Sequence, residues 1–133
     1  MASITLTVPA GLVETIHDEF VRYRDVQYDV LKAPPRRDRV AAQIRAANLI
    51  CAIDIVLHPV RWDDLRSDQS TALTADHGLW LDIVYGALLG AADRLLAACL
   101  RSAAEASDRE AVATWSADVE ALLALHAHVD PAR

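Results

Sequence analysis

The sequence predicts an all-α protein: a four-helix up-down-up-down bundle preceded by a short N-terminal extended strand. Three observations carry that prediction. Alanine, the strongest helix former and a weak strand former, occurs 25 times, against 4 glycines and 5 prolines. Apolar residues recur at steps of three and four through four long segments, the period of an amphipathic helix. Helix stops and starts divide those segments: Ala33-Pro34-Pro35, His58-Pro59, Ser107-Asp108-Arg109-Glu110 and Asp130-Pro131. The length of 133 residues suits one domain, 1–133, and 53% hydrophobic residues exclude disorder over most of it.

The arm, residues 1–8, contains Ile4, Leu6 and Val8 alternating with Thr5 and Thr7, the period of a half-buried strand. A lone strand leaves its ladder unsatisfied, so pairing with a second copy's arm is one expected outcome. Pro9 then suits a first helical turn. Helix one is predicted from about Pro9 to Leu31, with Leu12, Ile16, Phe20, Tyr23, Val26 and Val30 inward. Glu14, Asp18, Arg22, Asp25 and Asp29 lie on its outward face.

Helix two is predicted from about Pro35 to Leu57. Val40, Ile44, Ala47, Cys51 and Ile55 make one stripe, and Ile50, Ile53 and Leu57 a second on another side. Its second half is apolar nearly all round, which calls for cover on several sides. A long connection over 59–74 follows, where Trp62 and Leu65 are placed to cap the end of the core. Helix three is predicted from a Thr74 cap to about Ala104. Gly86 and Gly90 stand four apart on one side of it, a spacing that permits close approach of another backbone. Helix four follows the capping box, with Val112, Trp115, Val119, Leu122 and His126 as its seam. Short links make helices one and two, and three and four, antiparallel hairpins.

The charge of −6 and pI near 5.2 disfavour general nucleic-acid binding, because the chain lacks the field that displaces counterions from phosphates. Twelve of the 13 basic residues are arginine, which with the alanine excess fits a GC-rich bacterial genome. Cys51 and Cys99, isolated in apolar helical text, are expected as buried, reduced thiols of a cytoplasmic protein. Met1–Pro9 has no signal-peptide pattern. Asp54 interrupts the apolar run Ile44–Val60, and Asp82, Asp93 and Arg94 interrupt Leu79–Leu100, so both read as buried helices and no membrane is expected.

Three sets of residues are candidates for function. In an up-down bundle, all five histidines fall near one pole. Glu14, His17, Asp54, His58, His77 and His126 there form a candidate transition-metal set, Glu14-x-x-His17 having the spacing used in di-iron bundles. No second Glu-x-x-His accompanies it, and no cofactor is expected. At the other pole Arg36, Arg37, Arg39 and Arg45 could meet an anionic partner. The third set is an oligomer interface of Ile4, Leu6, Ile50, Ile53, Leu57, Gly86 and Gly90. No G-x-S-x-G, P-loop or G-x-G-x-x-G is present.

The opening Ile4-Thr-Leu-Thr-Val-Pro9 resembles the start of ribbon-helix-helix repressors, in which two chains pair strands and present alternate side chains to DNA. The resemblance implies Thr5 and Thr7 for that role. It ends within helix one, which runs on too long, and the strand carries no Arg or Lys. What it adds is weight to a strand-paired dimer. The sequence thus reads as a non-catalytic interaction protein acting as a homodimer, with a protein partner also compatible.

Overall fold

The computed structural model describes residues 3–58, 70–101 and 106–130. The chain is mostly helical, with four helices and a short two-stranded sheet. The order is β1 (Ser3–Val8), a 3-10 turn (Ala10–Leu12), α1 (Val13–Lys32), α2 (Val40–Leu57), β2 (Thr71–Asp76), α3 (His77–Leu100) and α4 (Ala106–Val129). Two compact units emerge, Met1–Leu79 and Trp80–Arg133. Trp62 and Leu65 lie outside the described residues.

In the first unit, β1 pairs with β2 of the same chain, antiparallel, from Ser3↔Asp76 to Val8↔Thr71. This corrects two expectations. The strand's partner is intramolecular, and the end of the long connection is a strand. Thr71–Thr74 reads as the end of the linker, and Ala75 and Asp76 as the start of helix three, because alanine is a weak strand former and Thr74 resembles a helix cap. Alternation decides otherwise: Leu73 and Ala75 are buried with Leu6 and Val8, while Ala72 and Thr74 face out. The cap of α3 is Asp76, whose Oδ2 accepts from the Gly78 N–H at 3.0 Å.

The ladder also reveals a repeat with a period of half the chain. Ser3, Leu6, Thr7, Gly11, Leu12 and Ile16 recur as Ser70, Leu73, Thr74, Gly78, Leu79 and Ile83 at one constant offset. Leu6 pairs with its own counterpart, Leu73, and Ile4↔Ala75 mirrors Val8↔Thr71. Each half runs strand, helix, helix. The two strands therefore meet as two copies of one segment meet about a twofold axis.

Helix α1 is anchored by its first turns. Val13, Ile16 and Phe20 are buried, whereas Tyr23 and Val30 are only half-buried and Val26 is exposed. The predicted inward face thus holds for its first half only. Glu19 is the buried charge, and Arg22 binds it from the next turn through Nε at 3.0 and 3.1 Å and through Nη2. Helix α2 runs antiparallel beside α1. It starts at Val40 rather than Pro35, because Arg36–Arg39 form a turn closed by the Arg39 N–H to Arg36 O bond at 2.8 Å. Arg24 of α1 reaches Asp54 of α2 at 2.8 Å. Near the other end, Gln43 Nε2 donates to Ala33 O at 2.8 Å and Val30 O at 3.4 Å, serving carbonyls that the end of α1 leaves free. Gln43→Ala is expected to cost about 1 kcal/mol in urea unfolding.

The second unit is the α3–α4 hairpin. Arg94 lies over the Trp115 ring at 4.9 Å, and Tyr85 meets His126 with ring centroids 6.2 Å apart. The pairing of early α3 with late α4 makes the two helices antiparallel, as the short link predicts. The α4 seam is centred on Leu122, Leu125 and Val129. The side chains of the predicted Ser107 cap lie outside the described residues. Asp118 on α4 has its carboxyl raised above the usual range by burial. Burial thus disfavours its charged form in the folded chain, so this group's contribution to stability falls as pH rises from its unfolded to its folded value. Asp118→Asn is expected to raise the melting temperature slightly at pH 7 and not at pH 2. An equal gain at both pH values would refute the assignment.

Candidate functional site

The predicted metal set does not assemble. Among the described residues no group of three His, Cys, Asp or Glu side chains is placed to hold one ion. His17 Nδ1 lies 3.1 Å from Asp18, and Asp54 faces Arg24. His126 stands beside Tyr85. Glu14-x-x-His17 is therefore not grouped with a third ligand among the described residues.

A shallow groove of about 720 Å³ does form around Arg24, Asp54, Ile55, Leu57 and His58. Arg24 and Asp54 form its charged wall, and Arg24 Nε is buried with no partner among the described residues. Both side chains stay partly in water, so this ion pair adds little stability. Two of the four arginines in the set at the other end of the hairpin are engaged locally. Arg36 pairs with Asp38 at 3.6 Å, and Arg39 Nη1 donates to Pro34 O at 3.3 Å. On the ribbon, the outward Thr5 and Thr74 hydroxyls bond each other at 2.6 Å, and neither strand carries a cation.

The largest departure from expectation concerns the apolar faces. Of the predicted interface residues, Leu6, Ile50 and Ile53 are buried in this chain, and Ile4, Leu57, Gly86 and Gly90 are half-buried. The other stripe of α2 is the open one: Val40, Ile44, Cys51 and Ile55 are all exposed, Ile55 to 73%. Cys99 is exposed too, so neither cysteine is the buried thiol expected. On α3, Tyr85, Leu89, Leu96 and Leu100 form a similar exposed row, Leu100 at 87%. The residues that matter were visible as a stripe in the sequence. Its direction was not, because a helix apolar nearly all round does not announce which side is inward.

Gly90 shows no close neighbour among the described residues. A Cβ built there meets nothing within 4 Å. Gly90→Ala is therefore expected to stabilise the chain by up to about 1 kcal/mol through helix propensity alone, read as a higher urea midpoint. A loss of stability or of assembly in this variant would show that Gly90 lies in a contact after all.

Helices α2 and α3 are long and apolar enough to cross a membrane by length and composition. Their best windows have mean hydropathy 1.7 and 1.6, with only 22% and 28% of each window buried. They are therefore not the buried helices the sequence suggests. No protein-family model, curated protein or solved structure matches the chain.

Proposed function

We propose that this chain is a non-catalytic interaction protein that works as a homodimer. The observation supporting this is the run of large apolar side chains left open on its helices, with Ile44 at 58% and Ile55 at 73% exposed. Single exposed apolar residues are ordinary, but rows of them along a helix mark a contact surface. The reading places the protein's activity in what it assembles with. Sedimentation equilibrium of the full chain from nanomolar to high micromolar concentration tests it. The expected result is a reversible dimer with a fitted dissociation constant. A soluble monomer throughout that range overturns it.

A further inference from the structure

We infer that α2 is the contact between two copies of this chain, the helices lying antiparallel about a twofold axis between Ala47 and Asn48. The inference rests on the homodimer reading and specifies its surface. Four observations point to it.

The first is that the fold leaves this stripe open: Val40, Ile44, Cys51 and Ile55 are exposed, while Ile50, Ile53 and Val56 on the other side of α2 are buried.

The second is self-complementarity. A twofold contact requires that a patch fit itself. About an axis between residues 47 and 48, Val40 meets the partner's Ile55, and Ile44 meets the partner's Cys51. Ala47, the smallest side chain of the stripe, falls at the crossing, where the two backbones come nearest. The row spans about 22 Å of helix.

The third is charge. The N-terminal end of α2 and its preceding turn carry Arg36, Arg37, Arg39 and Arg45 with Asp38, and the C-terminal end carries Asp54, paired with Arg24. The helix dipole is positive at the start and negative at the end. Antiparallel helices set the basic end of one copy against the dipole-negative end of the other, whereas parallel helices would set the two basic ends together. The similar row on α3 fails this test, because Asp93 lies beside its midpoint and would face its own copy.

The fourth is shape. Ile55 borders both the groove of about 720 Å³ at Arg24 and His58 and one of about 580 Å³ against β2. It is therefore a ridge flanked by hollows, a relief that packs against side chains from another helix.

The full chain carries the test. Ile44→Glu should weaken the dimer on the order of 100-fold, because the twofold axis introduces the buried charge twice. Its circular dichroism and melting of the monomer should be unchanged, since Ile44 is exposed. Cysteine pairing reads the register independently of any folding defect. With Cys99→Ser, Ile44→Cys should form an oxidised dimer through the native Cys51. The same Ile44→Cys with both native cysteines replaced by serine should not, because residue 44 faces the partner's residue 51 and not its own copy. A dimer that persists in Ile44→Glu, or that crosslinks through residue 44 alone, overturns the α2 contact while leaving the homodimer reading intact. A monomer at every concentration overturns both. Co-sedimentation of the wild-type chain with phosphatidylcholine vesicles, lost in Ile44→Glu, overturns the inference in favour of a lipid surface.

Discussion

Phe20→Ala is expected to lower the unfolding free energy by about 3–5 kcal/mol. Phe20 is the only phenylalanine of the chain and is fully buried. It is also the last fully buried residue of α1, so it is the point where the helix leaves the core. Truncation removes the ring's transfer energy and leaves a cavity that close-packed neighbours fill only in part. A domain of this size is typically stable by about 5–15 kcal/mol, so the loss is a large fraction of the total. Urea unfolding should show a lower midpoint with an unchanged slope. Val26→Ala on the same helix is the comparison: Val26 is exposed, and its loss should stay within about 0.5 kcal/mol in the monomer. Equal effects at the two positions would mean that α1 is held along its whole length, contrary to the burial described.

That contrast also shows what the sequence discloses and what it withholds. The spacing of Leu12, Ile16 and Phe20 identified the inward side of α1 correctly at its start. It could not say that the core ends there, because Tyr23, Val26 and Val30 continue the same period. Periodicity gives direction around a helix and is silent about whether anything lies opposite. For α2 even direction is lost: Ile50 and Ile53, expected in an oligomer interface, are buried in this chain, while the other stripe, Val40, Ile44, Cys51 and Ile55, faces out. The polar positions that usually mark the outside are few there. The β2 strand was hidden for a different reason. Its alternation is carried by alanine and threonine, whose burial pattern appears only once β1 lies beside it. No three of the predicted metal ligands come together among the described residues, because a ligand spacing within one helix does not bring ligands from other helices toward one point.

The other large effect belongs to the ribbon. Leu6→Ala and Leu73→Ala are each expected to cost about 2–5 kcal/mol, because both leucines are buried and pair directly across the ladder. As counterparts in the repeat they occupy matching positions, so the two losses should be of similar size. Direct contact makes them non-additive: the double variant should differ from the sum of the singles by about 0.5–3 kcal/mol. Thr5→Ala, on the opposite face, removes one exposed hydroxyl bond to Thr74 and should cost no more than about 1 kcal/mol. Whether the ladder closes within one chain is tested separately at that pair. With Cys51 and Cys99 replaced by serine, Thr5→Cys with Thr74→Cys should oxidise to a species that runs as a monomer under denaturing conditions, since these residues pair in register. A covalent dimer in its place would move the strand pairing to a second chain, and the half-length repeat would then describe two protomers exchanging their arms. Ile44→Glu should leave the intramolecular crosslink intact, because the ribbon lies in the chain's own fold and the α2 stripe lies outside it.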